Sequence, residues 1–67
     1  MQVIINGKQT TLTDVNTVEN LIQHLELSGR LAIEVNRQIV PRTEYATHSL
    51  ADGDVIEIVH AIGGGTS

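Results

Sequence analysis

The sequence predicts an α+β fold of two layers, in which a mixed β-sheet is covered on one face by one helix. The chain opens with a β-rich run that ends at Asn6-Gly7, the dipeptide most typical of a tight hairpin. A stripe of apolar residues at helical spacing follows, and two later runs alternate apolar with polar residues. Because a single helix can cover only one face of such a sheet, we expect two layers.

The helix is predicted near residues 17–26. Its apolar side chains recur at i, i+3, i+4 and i+7, and they are Val18, Leu21, Ile22 and Leu25. Asn16, with Glu19 three residues later, predicts a capping box at the start of the helix. Gly29 is the predicted stop signal.

Strands are predicted near residues 2–5, 8–12, 31–35, 38–40 and 54–60. Asn36-Arg37 is expected to turn the chain between the third and fourth strands, and Pro41 to end the fourth. A short helical turn is expected within residues 43–49. The predicted core consists of Val3, Ile5, Leu12, Val18, Leu21, Ile22, Leu25, Ile33, Val35, Leu50, Ile56 and Ile58.

This element order fits the β-grasp arrangement, which has a first hairpin, a crossover helix and a last strand beside the first. The pattern also fits a ferredoxin-like fold or another split β-α-β fold. A chain of 67 residues makes one domain, expected at residues 1–60, followed by a flexible tail at residues 61–67. That tail contains half of the six glycines of the protein in one run, Gly63-Gly64-Gly65.

Composition excludes several classes of function. The absence of cysteine rules out disulfides and thiolate chemistry. A net charge of −4 and a single aromatic residue, Tyr45, argue against nucleic-acid binding. No apolar run is long enough for a membrane span and the N-terminus lacks a signal-peptide pattern, so we expect a cytoplasmic protein.

The side chains of the domain match no catalytic or metal-binding motif, so we expect a protein that is not itself an enzyme. His24, His48 and His60 have no compact metal-ligand spacing, and Asp52 and Asp54 flank a turn glycine without the rest of a calcium loop. The glycine run lacks the Lys-Ser/Thr of a phosphate-binding loop. No bound metal or cofactor is expected, and any reactive group is the backbone of the tail.

The glycine run has two interpretations. It is either a frayed terminus or linker, or an arm that enters a narrow slot in another protein. Without a Cβ, a glycine leaves its carbonyl open to a reagent.

The sequence resembles the ThiS family, the sulfur carrier proteins of thiamine biosynthesis. The resemblance rests on three segments, Asn36 to Arg42, Asp52 to Ile58, and Ile62 to Gly65, and the opening residues 1–7 fit the first hairpin of that family. It covers essentially the whole domain. The segment reading Asn-x-x-Ile-Val-Pro-Arg, at a fixed distance from the tail, is its most specific part.

The resemblance implies a ubiquitin-like β-grasp fold and a carrier function without a catalytic side chain. It implies that a ThiF-like adenylating enzyme, using ATP and Mg²⁺, activates the carboxylate of Gly65. Sulfur from a persulfide donor then gives a thiocarboxylate, and thiazole synthase receives the sulfur. Gly63 and Gly64 are expected to accompany Gly65 in the channel of the partner.

One feature departs from the family pattern, because Thr66 and Ser67 follow the glycine. A peptide bond to Thr66 leaves Gly65 without a free carboxylate. Either a peptidase removes the pair, or the pair is an appended remnant, or the chain is not competent as written.

A partner surface is predicted on the sheet face away from the helix, formed by Ile4, Val55 and Val59. The alternative, three unrelated exposed residues, stays open at this point. Two other functions use the same tail chemistry: the small subunit of molybdopterin synthase, and a ubiquitin-like modifier attached to lysines. A structural β-grasp interaction module without tail chemistry is a further alternative.

Overall fold

The computed structural model describes residues 1–60, and these form five strands, one α-helix and a short 3₁₀ helix. In chain order they are β1 Gln2–Ile5, β2 Lys8–Thr11, α1 Val18–His24, β3 Leu31–Val35, β4 Gln38–Val40, the 3₁₀ helix Arg42–Glu44 and β5 Val55–His60. The predicted elements are all present. The helix is three residues shorter than predicted over residues 17–26, and β2 and β5 each lose one residue at one end.

The last strand lies at the centre of the sheet. The strand order is β2-β1-β5-β3-β4, with β5 parallel to β1 and antiparallel to β3. Both hairpin partners, β1 with β2 and β3 with β4, are antiparallel. This is the predicted β-grasp arrangement. A ferredoxin-like fold needs two helices against the sheet, whereas the described residues contain one α-helix.

Both hairpins use turns that twist with the strands. Asn6 and Gly7 have φ of 50° and 80°, and Asn36 and Arg37 have φ of 53° and 71°. Two successive residues in the left-handed region are the mark of a type I′ turn. The second turn therefore places an arginine where glycine is favoured.

The start of the helix differs from the predicted capping box of Asn16 and Glu19. Thr17 is the N-cap, and its hydroxyl accepts a hydrogen bond from the Asn20 N–H at 3.1 Å. The Asn20 side-chain oxygen in turn accepts from the Asn16 N–H at 3.3 Å. The N-cap thus lies one residue later than predicted, because threonine also caps well. The Asn20 side chain bonds the N–H of Asn16, the residue before the N-cap, and not the N-cap N–H that a capping box would use.

The end of the helix also differs from the prediction, which placed the stop at Gly29. Glu26, with φ of 57°, is the left-handed residue after the C-cap Leu25. The Glu26 N–H donates to the Gln23 carbonyl at 3.1 Å and the Leu27 N–H to the Ile22 carbonyl at 3.0 Å. This pair of bonds is a Schellman motif, so the helix ends before Gly29 is reached.

One hydrophobic cluster lies between α1 and the sheet. Its buried members are Val3, Leu12, Val15, Val18, Leu21, Ile33, Val35, Val40, Leu50 and Ile56. Eight of these were predicted, whereas Val15 and Val40 were not. The predicted core residues Ile5, Ile22, Leu25 and Ile58 are only partly buried and pack against the cluster. This arrangement leaves the opposite face of the sheet uncovered within residues 1–60.

Candidate functional site

The tail continues directly from the central strand. His60, the last residue of β5, lies opposite Leu31 at the start of β3. The predicted site residues Gly63, Gly64 and Gly65 lie outside the described residues, as does the predicted division between domain and tail. β5 is the described element that precedes the glycines in the sequence.

A side chain of the first hairpin holds β5 on one flank. The backbone pairing of β1 with β5 covers Ile4 with Val55 and Ile5 with Ile56. Beyond it, the Asn6 side-chain oxygen accepts from the Ile58 N–H at 2.7 Å, and the Asn6 amide group donates to the Ile58 carbonyl at 3.1 Å. The side chain thus satisfies both backbone groups of Ile58, as a neighbouring strand does.

A second asparagine holds β5 at its other flank. The Asn36 side-chain oxygen accepts from the Val55 N–H at 2.9 Å, and its amide group donates to the Asp54 carboxylate at 3.0 Å. The Asn36 N–H donates to the Val55 carbonyl at 2.7 Å. Both type I′ turns therefore contribute to positioning the strand that leads into the tail.

The predicted partner residues lie on the uncovered face of the sheet. Ile4, Val55 and Val59 are 37%, 40% and 59% exposed, and Ile4 is the direct neighbour of Val55 across the parallel pair. Val59 lies opposite Ala32 on β3. With Ile39, which is 73% exposed, these residues form what we call the outer apolar face: Ile4, Val55, Val59 and Ile39.

Ile39 was missed by the sequence analysis. It pairs with Glu34, whereas its neighbour Val40 pairs with the buried Ile33. Since successive side chains of a strand point to opposite faces, a buried Val40 implies an outward Ile39. The short length of β4 hid this alternation in the sequence.

Two carboxylates lie within the outer apolar face. Glu57 lies between Val55 and Val59 along β5, and its direct cross-strand partner is Glu34. Like charges directly opposite each other disfavour the pairing of strands. A partner surface that covers this face with apolar and basic groups would remove both unfavourable features.

The residues that could perform chemistry inside the domain do not converge. Within residues 1–60 no group of three or more His, Asp or Glu side chains is placed to hold a metal ion. No helix in that range is long and apolar enough to cross a membrane. Within residues 1–60, the structure presents an exposed apolar face on β5, the strand that precedes the glycine run in the sequence.

Comparisons with known proteins agree with this geometry. A family model described as the ThiS family matches residues 3–65. The chain is 38% identical over 63 residues to the sulfur carrier protein ThiS of Bacillus subtilis, covering 91% of this chain and 96% of that protein. It is 42% identical over 67 residues to a thiazole synthase of Paramagnetospirillum magneticum, covering 98% of this chain but 21% of that protein. The chain thus spans about a fifth of the length of that relative.

A solved structure has the same fold. The crystal structure of the thiamine biosynthesis protein (ThiS) from Geobacter metallireducens superposes with a TM-score of 0.82, at 26% identity, and the match covers 97% of this chain and 100% of that one. The family model covers nearly the whole sequence, including the glycine run that follows β5. The chain therefore belongs to the ThiS family.

Proposed function

We propose that this chain is a sulfur carrier of thiamine biosynthesis, whose C-terminal glycine is adenylated and then converted to a thiocarboxylate that donates sulfur for thiazole formation. The observation that carries the proposal is the family match over residues 3–65, which ends on Gly65. It includes the glycine run and excludes Thr66 and Ser67. The proposed reactive form accordingly ends at Gly65, with a free carboxylate.

The first proposed step makes this carboxylate electrophilic. A carboxylate oxygen of Gly65 attacks the α-phosphorus of ATP in the active site of a ThiF-like adenylating enzyme, and pyrophosphate leaves. The product is a mixed anhydride in which AMP is a good leaving group. Mg²⁺ and ATP belong to the partner enzyme, and the carrier supplies only its backbone terminus.

The second proposed step exchanges oxygen for sulfur. The terminal sulfur of a persulfide donor attacks the carbonyl carbon of Gly65 and displaces AMP, which gives an acyl disulfide. A thiol then cleaves the sulfur–sulfur bond, which leaves a thiocarboxylate on Gly65 and a disulfide on the donor side. Thiazole synthase is the proposed acceptor of this sulfur.

The glycines are suited to both steps. No Cβ narrows the path of the attacking sulfur to the carbonyl of Gly65, and Gly63 and Gly64 accept backbone angles closed to other residues. A carrier without cysteine also has no thiol of its own to intercept the persulfide. The proposed role of the domain is to present the glycine tail to partner enzymes. β5, which leads into the tail, is hydrogen-bonded to neighbouring elements on both sides.

Partner recognition is proposed at the outer apolar face, because it is exposed and shares β5 with the tail. Similarity to 21% of a longer protein named thiazole synthase supports that enzyme as one proposed partner. The adenylating enzyme is the other proposed partner.

The tail chemistry is tested with three purified proteins: the chain ending at Gly65, the chain ending at Ser67, and a Gly65→Val form ending at residue 65. With the partner enzyme and ATP, we expect pyrophosphate release from the first and little from the other two. In the second protein the Gly65 carbonyl is an amide, and in the third a β-branched side chain crowds the carbonyl. A thiocarboxylate should appear by mass only in the first.

Two outcomes would contradict the proposal. If the Ser67-ended protein reacts as fast as the shorter one while retaining Thr66 and Ser67, the proposed chemistry is wrong. If the valine variant is fully active, the glycine run is only a linker. An intact mass of the protein from cells shows which terminus is present.

The docking face is tested by Val59→Asp, which places a charge among exposed apolar side chains. We expect weaker binding to the adenylating enzyme in a titration and an unchanged melting temperature, because Val59 is 59% exposed. Thr13→Asp is the matched control, since Thr13 is exposed in the loop between β2 and α1. Equal affinity of the two variants would exclude the face.

A further inference from the structure

A second surface lies on the helix side of the sheet, away from the outer apolar face. It is a groove between α1, the loop that leads into β3, and the 3₁₀ helix region. Its lining includes the half-buried side chains of Ile22, Leu27, Leu31 and Tyr45. We call it the helix-side groove, and its floor is mainly apolar.

The net charge of the residues that line the helix-side groove is positive, opposite in sign to the net charge of the whole protein. The chain has four Lys and Arg residues and a net charge of −4. Two of those four, Arg30 and Arg42, line the groove as exposed residues, and Glu19 is the acidic residue among the lining side chains. Within residues 1–60, no side-chain hydrogen bond involves either guanidinium. Among the described residues, both guanidiniums are therefore open to a ligand.

The walls of the groove are fixed by hydrogen bonds. The Tyr45 hydroxyl donates to the Leu31 carbonyl at 3.4 Å, and the Tyr45 carbonyl accepts from the Glu19 N–H at 2.9 Å. The hydrogen bond from the Leu27 N–H to the Ile22 carbonyl fixes the part of the groove at the end of α1. Because these hydrogen bonds already order the groove, binding a ligand costs little additional conformational entropy in the protein, which favours affinity.

We propose that the helix-side groove binds an acidic segment of a partner protein that also carries apolar side chains. The apolar floor would take aliphatic side chains, and the guanidiniums would pair with carboxylates in the bidentate geometry that arginine favours. A simple anion would use the two arginines but leave the floor unfilled. A nucleic acid carries a phosphate at every nucleotide and would extend beyond the two arginines onto negatively charged surface, whereas the carboxylates of a short acidic segment can be confined to the two arginines.

The position of the groove allows it to act together with the tail. Leu31, which lines the groove, lies opposite His60 at the end of β5. The outer apolar face is on the other side of the sheet, so one partner can cover that face while an acidic segment occupies the groove. This role does not depend on the sulfur chemistry proposed for Gly65.

The test is a titration of the ¹⁵N-labelled full chain followed by NMR. The probe is a synthetic eight-residue peptide, acetyl-Glu-Leu-Asp-Glu-Leu-Leu-Asp-Glu-amide, compared with the peptide in which Gln and Asn replace Glu and Asp. We expect the acidic peptide to shift the amide signals of residues 27–31 and of Tyr45. Arg30→Glu combined with Arg42→Glu should weaken its binding by about tenfold or more.

Arg37→Glu is the matched control, because Arg37 is exposed in the β3–β4 turn, at the end of β3 opposite to Leu31. It should leave the affinity within about twofold, since the five residues of β3 place Arg37 roughly 15 Å or more from Leu31, beyond the screening length of about 8–10 Å at moderate salt. No saturable shifts, shifts centred on Ile4 and Val55, or equal weakening by Arg37→Glu would each overturn the proposal. Tighter binding of a single-stranded oligonucleotide than of the peptide would also overturn it.

Discussion

At the scale of single residues, two asparagine side chains fasten the turns of the hairpins to the central strand. Asn6 satisfies the N–H and carbonyl of Ile58, and Asn36 accepts from Val55 and donates to Asp54. Both residues also have φ in the left-handed region, near 50°. Asparagine tolerates that conformation better than most residues, so one residue type serves the turn and the strand.

Replacing Asn6 with alanine should destabilise the protein by about 1–3 kcal/mol, because the Ile58 amide and carbonyl both lose their partner and alanine tolerates a φ of 50° less well than asparagine. Urea denaturation measures the change, and hydrogen exchange of the Ile58 amide should accelerate. Asn16→Ala is the control, since Asn16 is exposed and its recorded hydrogen bonds use the backbone. Equal stability of the two variants would show that the Asn6 side chain contributes nothing.

Replacing Glu26 with glycine should stabilise the protein by about 0.5–1 kcal/mol. The left-handed conformation at φ of 57° costs an ordinary residue about 1–2 kcal/mol, and glycine avoids this cost. Part of the gain is offset because glycine loses more backbone entropy on folding. Gly29→Ala is the opposite test at φ of 83°, where an added Cβ meets no atom within 4 Å. It should destabilise through backbone conformation alone. Thermal unfolding of both variants and of the unchanged protein tests these predictions, and a lower melting temperature for Glu26→Gly would contradict the first.

These residue-scale features were only partly predictable. The Asn6-Gly7 turn has an unambiguous signature, and the structure confirms it. The cap was misassigned by one residue, because Asn16 and Thr17 are both good N-caps and only packing decides between them. A glutamate in the left-handed region carries no sequence signal, so the helix end was placed at the next glycine.

At the scale of elements, the periodicity of the sequence predicts all five strands and the helix. The apolar stripe of α1 is confirmed for its most buried members, Val18 and Leu21. The two buried residues that the sequence did not predict, Val15 and Val40, escaped prediction for the same reason. Val15 stands in a polar connection and Val40 in a strand of three residues, so neither belongs to a run long enough to show a period.

Leu21→Ala should cost about 2–5 kcal/mol, because Leu21 has 0% exposure and a small domain cannot close the resulting cavity well. That is a large share of the stability expected for a domain of this size. Gln23→Ala, an exposed change on the same helix, is the control and should remain within about 0.5 kcal/mol. An unchanged melting temperature for Leu21→Ala would show that the helix is wrongly placed on the sheet.

At the scale of the whole molecule, the sequence predicted the β-grasp topology but also left a ferredoxin-like alternative. The single α-helix of the described residues and the pairing of β5 between β1 and β3 separate the two folds, and the pairing partners of a strand are not encoded in its own alternation. The predicted outer residues Ile4, Val55 and Val59 do share an uncovered face. Their role as a partner surface stays a prediction, as do the roles of Gly63, Gly64 and Gly65.

The central position of β5 also determines how the protein bears mechanical force. β1 and β5 run parallel, so pulling Gln2 and His60 apart loads their hydrogen bonds together in shear, and β3 shares the load on the other flank. Pulling Gln2 and Thr11 apart instead opens the β1–β2 hairpin from its end, one bond after another. In single-molecule pulling, the first pair of attachment points should therefore rupture at a clearly higher force, and equal forces would contradict this. If a partner enzyme draws the tail into a narrow channel, as proposed, it would pull along the more resistant of these two directions, and the fold would stay intact while its end is stretched.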